Sequence, residues 1–213
     1  METSEGLGPL RLARDKLLLV EGRSSEVFFL AFLKDLGRLH QLQVVDFGGV
    51  NELRPKLKTL KALPGFSGVS TIGLVRDAES NAASAWQSVI GALGACEFVA
   101  PPSHASIQGG HPRVGVFILP NGSDPGNLET LCIASVDSRP EMKCVACYHD
   151  CLVELAGQLN SVVNLGNTYK LRCHAYLASQ PRPGLLVGQA ANAGYWPWSS
   201  SAFNELSEFL RQL

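Results

Sequence analysis

The sequence predicts an α/β fold: a mostly parallel, helix-covered central sheet of about four strands, followed by a helical C-terminal portion. Three observations predict it. Up to residue 121, short apolar runs alternate with segments of helical period. The apolar runs are nearly continuous, as they are in strands buried on both faces. Beyond residue 121 the pattern turns helical throughout.

The elements follow in order. "KLLLVEG" (16–22) reads as a buried strand, with Ser24 or Ser25 placed to cap the helix "SEVFFLAFLKDLG" that Gly37 ends. "QLQVVDFGG" (41–49) is a second strand, its glycines marking a turn without a full phosphate-loop or dinucleotide pattern. Asn51 then caps "NELRPKLKTLKAL", with Leu53, Leu57 and Leu60 on one face and Pro55 near enough to the first turn to be tolerated. "VSTIGLVRDAE" (69–79) is the third strand, 81–95 a helix, 98–112 a loop rich in Pro, Gly and Ser, and "RVGVFILPN" (113–121) the fourth strand. Strands joined by single helices imply right-handed crossovers. Helices are expected at 127–136, 139–159, 168–179 and 199–213.

Composition bounds the function. At 213 residues, the chain suits one domain: a core of about 16–121 with an elaboration over about 122–213. The apolar share of 46% against 17% charged residues indicates a globular protein, and no apolar run is long enough to span a bilayer. "METSEGLGPLRLARD" lacks the apolar core of a secretory signal, so the six cysteines are expected as reduced thiols in the cytoplasm. A net charge of −1 argues against a nonspecific nucleic-acid coat protein, but leaves room for a substrate held through metal ions and a local basic patch.

In open parallel sheets, chemistry gathers outside the carboxyl ends of the strands. Glu21 ends the first strand, and Asp77 and Glu79 end the third. Like charges at one edge call for a cation, and hard carboxylate oxygens suit Mg²⁺ or Mn²⁺ rather than zinc. Each residue also has a plainer reading: Glu21 as a half-exposed turn residue, Asp77 and Glu79 at a solvated sheet mouth. Glu129 opens a helix, either as a further ligand or as an acid favoured by the helix dipole. Arg23 and Arg76 stand beside acids and either contact phosphates or neutralise a carboxylate. Arg54, Lys56, Lys58 and Lys61 form a backbone-contact patch or a solvated helix face.

Two other features read mainly as structure. Cys144, Cys147 and Cys151, with His149 between them, share a helix face and read as small apolar packing. A zinc site there needs a fourth ligand such as Cys132 or Cys173. Trp196 and Trp198 read as an aromatic plug before the last helix rather than as base-stacking groups.

"LLVEGRSSEVFF" followed by "IGLVRDAES" resembles the Toprim fold, the topoisomerase–primase catalytic domain, and in particular the compact bacterial Toprim-like proteins that sit near the OLD-family nucleases. Order and spacing carry the resemblance, which extends through "RVGVFILPNGSDPGNLETLCIAS", "YKLRCHAYLAS" and "GYWPWSSSAFNELSEFL" over about residues 16–213. It implies that Glu21 and Asp77 hold divalent metal for phosphodiester chemistry. Glu79 takes the second acidic place, one methylene longer than the family's Asp, and Glu26 matches an acid at the start of the first helix. Lys170 resembles the lysine that OLD-type nucleases place near the scissile phosphate. The implied activity is two-metal hydrolysis of nucleic acid, DNA in preference to RNA, in a setting such as phage defence or a mobile element. Related nucleases usually carry an ATPase domain; this sequence has no GxxxxGK(S/T) loop, so an ATP-driven step would need a partner protein. A non-catalytic binding or regulatory module and a small-phosphoester hydrolase are the alternatives.

Overall fold

A computed structural model describes residues 10–158 and 168–213. Five strands form one sheet: β1 (Lys16–Val20), β2 (Gln43–Asp46), β3 (Thr71–Asp77), β4 (Ile107–Gln108) and β5 (Arg113–Leu119), in the order β2-β1-β3-β5-β4. All pairings are parallel except that of β4 with β5. The helices are α1 (Arg23–Asp35), α2 (Leu53–Ala62), α3 (Ala82–Ala95), α4 (Leu128–Val136), α5 (Glu141–Gln158), α6 (Thr168–Ala178), α7 (Val187–Asn192) and α8 (Asn204–Gln212).

The central strands are buried on both faces, which is why their sequences run apolar without alternation. Leu18, Val20, Val75 and Phe117 face the layer built by α1 and the C-terminal helices. Leu17, Leu19, Ile72, Leu74 and Val116 face α2 and α3. Each such side chain contributes about 1.5–3 kcal/mol by leaving water. Leu53, Leu57 and Leu60 form the buried stripe of α2, as their spacing predicts, and Pro55 sits in the first turn, where its missing N–H leaves nothing unpaired.

The C-terminal helical layer is seated on a pair of glycines. Gly73 and Gly115 lie side by side on β3 and β5. A Cβ on Gly73 would stand 2.5 Å from the Leu213 side chain, and one on Gly115 would stand 2.9 Å from Phe209. α8 and the chain end therefore settle close onto the sheet with Leu206, Phe209, Leu210 and Leu213 buried. Trp196 is buried and donates its Nε1 hydrogen to the Val187 carbonyl at 3.0 Å, while Trp198 stacks on Phe32 with ring centroids 4.8 Å apart. These tryptophans are packing groups.

Several local expectations are corrected. The sheet of about four strands is present, with a short fifth: β4, two residues and too short to show a pattern, lies within the predicted loop 98–112. α1 begins a residue before Ser24, at Arg23, because Gly22 (φ 83°) makes the turn itself; Ser24 instead accepts a hydrogen bond on Oγ from the Gly188 N–H at 3.2 Å. α2 starts after Glu52, not Asn51, and has no side-chain cap. The segment 199–213 opens with a 3-10 turn (Ser201–Phe203) before α8, and α7 was not foreseen. Cys144, Cys147 and Cys151 are exposed, because the buried stripe of α5 is Met142 and Val145 instead. Residue 159, the end of one predicted helix, lies outside the described residues. Among the described residues, no helix is long and apolar enough to cross a membrane.

The tightest helix contact tests the packing. A Cβ on Gly188 would lie 2.3 Å from the Ser24 carbonyl oxygen, a backbone atom that cannot step aside, whereas nothing lies within 4 Å of one on Gly49. Gly188→Ala is therefore expected to lower stability by about 1–3 kcal/mol in urea titration, while Gly49→Ala changes it little.

Candidate metal centre at the β1–β3 switch point

The chain leaves β1 for α1 on one face of the sheet and β3 for α3 on the other, so a crevice opens at the carboxyl ends of these two neighbouring strands. Val20 pairs with Val75, which brings Glu21, the next residue, alongside Arg76 and Asp77. Gly22 must turn at positive φ to start α1 there, and its N–H is held at 2.8 Å by Oδ1 of Asp46, the last residue of β2. The same oxygen accepts the Gly48 N–H at 2.7 Å. Asp46, which the sequence reading missed, thus ties the two turns on this edge together.

The segment after β5 closes the crevice. Asp77 Oδ1 accepts the N–H of Leu128, the first residue of α4, at 3.0 Å. Asn127 caps that helix through the Thr130 N–H, so the positive end of α4 points at the Asp77 carboxyl. Glu79 sits at φ 52°, and its N–H and C=O are both bonded to Gly126, at 2.7 Å each. A left-handed glutamate costs on the order of 1 kcal/mol, and it persists here because the bridge to Gly126 holds it. Glu129 follows Leu128, and Lys170 projects from the first turn of α6.

The electrostatics follow from this crowding. Burial first, and then the charges of Glu21, Glu129 and Glu79, push the Asp77 carboxyl up to about 8; the Leu128 N–H offsets part of the rise. Burial also raises Glu21. Arg76 opposes that rise most strongly, Glu79 adds to it, and the Asp77 N–H and Lys170 bring it down. Arg76 Nε is 3.9 Å from Glu21 Oε2, beyond hydrogen-bond range, and both atoms are buried without a hydrogen-bond partner. Below them, burial keeps the Cys132 and Cys173 thiols protonated, with the Glu129 charge acting in the same direction.

Six predicted residues therefore converge: Glu21, Asp77, Glu79, Glu129, Lys170 and Arg76. Arg76 is buried, which matches its reading as a neutraliser rather than as a phosphate contact. Glu26 is not among the charges acting on Glu21 or Asp77; it pairs with the exposed Arg23. Arg54 and Lys58 are exposed on α2, over the opposite face of the sheet, and Lys61 is engaged by Glu97 and the Cys96 carbonyl. Among the described residues, no three His, Cys, Asp or Glu side chains stand ready to hold an ion as they are oriented, and this includes Cys144, Cys147, Cys151 and His149. The donor set nevertheless suits a hard divalent cation: all four acids offer oxygen, and the Glu21 Oε2 lacks a hydrogen-bond partner. An apolar cavity of about 540 Å³ between α5 and α6 is lined by none of these acids.

Residues 15–213 match the family described as a protein of unknown function, DUF3226. The chain belongs to this family. No curated protein matches this DUF3226 chain. Among solved structures, it resembles the C-terminal region of the Xanthomonas campestris pv. campestris OLD protein, with a TM-score of 0.51 and 14% identity over 95% of this chain and 97% of that one. At that identity the likeness is one of fold.

The raised Asp77 carboxyl has a pH consequence. Between about pH 4 and about 8 the folded protein keeps a proton that the unfolded chain releases, so rising pH favours unfolding across that window. In chelator, Asp77→Asn is expected to match the wild type near the acidic end and to exceed it in melting temperature near the basic end. Parallel pH profiles for the two proteins would remove Asp77 as the strained group.

Proposed function

We propose that this DUF3226 protein is a Toprim-like, Mg²⁺- or Mn²⁺-dependent phosphodiesterase acting on nucleic acid, with DNA favoured over RNA. The observation that carries this reading is the convergence of Glu21, Asp77, Glu79 and Glu129 at the switch-point crevice, around a buried Glu21 oxygen with no hydrogen-bond partner. The fold shared with the OLD C-terminal region supports it. Glu21 and Asp77 would hold the ion, with Glu79 and Glu129 completing the set. A bound divalent ion supplies Lewis-acid charge for phosphodiester hydrolysis. The Leu128 N–H and the end of α4 keep Asp77 oriented with one oxygen free of that bond. The bridge to Gly126 fixes the Glu79 backbone. Lys170, whose charge reaches Glu21, would face charge developing on a phosphate held at this edge.

One observation favours a second reading. Arg76 already lends positive charge to Glu21, as it would in a non-catalytic binding or regulatory module that works with a partner protein, such as a separate ATPase.

Thermal melts separate an ion site from an arginine-balanced one. Mn²⁺ at roughly 100 times its dissociation constant should add about 2.7 kcal/mol to wild-type stability, and Asp77→Asn should lose most of that gain while staying folded. A response that is absent in the wild type, or unchanged in the variant, sinks the ion site.

Incubation with plasmid, single-stranded DNA and RNA in Mn²⁺ tests catalysis. Lys170→Ala is expected to slow cleavage by about 10²-fold or more while keeping the metal-induced rise in melting temperature. Metal binding without cleavage of any polymer would select the regulatory module.

A further inference from the structure

Two cavities flank the acid crevice on the side of α6. The first, about 340 Å³, is lined by Glu79, Ser80, Pro125, Asn127, Thr168 and Tyr169. The second, about 540 Å³, is lined by Asn121, Leu131 and Glu205 among others, and also by Pro125 and Tyr169. Pro125 and Tyr169, lining both, form the partition between them. Tyr169 also directly precedes Lys170, so one turn of helix presents an aromatic ring to the cavities and a positive charge toward Glu21.

The chemistry of the first cavity narrows its ligand. Among the described residues, its wall includes one of the site acids and no basic side chain, so it disfavours a phosphate inside. It offers a ring and a proline to lie against, with hydroxyl and amide groups at its edges. That suits the neutral base-and-sugar part of a nucleotide, with its phosphate left outside toward Lys170. The volume lies at the small end of ligand sites, and a base reaches it only when it is unpaired. Among the described residues, the second cavity is lined by the acids Asp124 and Glu205 and by no basic side chain, so it too disfavours a phosphate inside.

Resting on the nucleic-acid reading above, we propose that Tyr169 is a stacking residue for an unpaired nucleotide of a single strand, seated in the Glu79 cavity beside the acid centre. Stacking on an aromatic side chain tolerates any base, so the preference set here is for strandedness rather than sequence.

Binding measured without reference to cleavage tests this. A short fluorescein-labelled oligothymidylate is titrated by anisotropy in Ca²⁺, with gels confirming that the probe is intact, against a duplex of matching length and against thymidine monophosphate as competitor. Wild type should prefer the single strand. Tyr169→Ala should weaken single-strand binding by about 10-fold and duplex binding far less, and Tyr169→Phe should retain the wild-type affinity. Tyr169→Leu, which keeps apolar bulk without the ring, should behave like Ala, and it stands in for Ala if that variant melts early. Equal single-strand affinity for the Leu and Phe variants, a wild-type preference for duplex, or no strand binding overturns the assignment. Competition by the mononucleotide as strong as by the strand would also overturn it, making the ligand a free nucleotide. Stacking without cleavage would leave this assignment standing while the catalytic reading falls.

Discussion

The adjacency of β1 and β3 is the constraint on which the site depends. β2 separates them in sequence, but the crossover through α2 returns the chain to the other side of β1, and parallel pairing aligns Val20 with Val75. Glu21 and Asp77 are then forced to one edge, half-buried by strands whose side chains are wholly withdrawn from water. Two carboxylates in that position repel each other, and the elements around them act as compensation. The end of α4 at Asp77, and the Arg76 guanidinium and Lys170 ammonium at Glu21, all favour the charged carboxylates, yet the net shift of both acids stays upward. The crevice is thus left short of positive charge.

The backbone around that crevice is held by polar contacts as well as by the apolar packing of Val20, Ala78 and Leu128. Asp46 grips the turns at Gly22 and Gly48, and Gly126 grips Glu79 in a left-handed conformation that a glutamate rarely adopts. Gly126 itself admits no side chain, because a Cβ would stand 2.6 Å from Thr130 Oγ1 in the first turn of α4. The strain at Glu79, the cap of α4 and the approach of Leu128 to Asp77 are therefore one connected unit. Disturbing any part of it would move an acid.

The C-terminal helical layer also borders the crevice. Glu129, Lys170 and Tyr169 all come from it, and it shares one buried cluster with α1 and one face of the sheet. That docking depends on what is missing from the sheet: Gly73 and Gly115 leave room for Leu213 and Phe209. The contact of Gly188 with Ser24 then clamps α7 onto α1, one turn from Glu21.

Much of this was legible in the chain. Continuous apolar runs identified four of the strands, because burial on both faces removes polar residues from them. Helical spacing identified α1 to α6 and the region of α8, and position at the strand ends singled out Glu21, Asp77 and Glu79, which the parallel pairing of β1 with β3 brings to one edge. What the sequence could not rank was which other charges join them. Glu26 stands five residues from Glu21 and turns to Arg23, whereas Glu129 and Lys170 stand far off in sequence and arrive. Side-chain direction and the docking of α4 and α6 decide that, and neither leaves a local pattern. The same holds for β4, two residues recruited only because β5 offers an open edge, for the exposure of the α5 cysteines, and for Asp46. By itself the sequence determined the layers and the acids at the strand ends, because burial is written in local composition; tertiary structure alone decided which charges meet, because that depends on contacts between segments that carry no mark of each other.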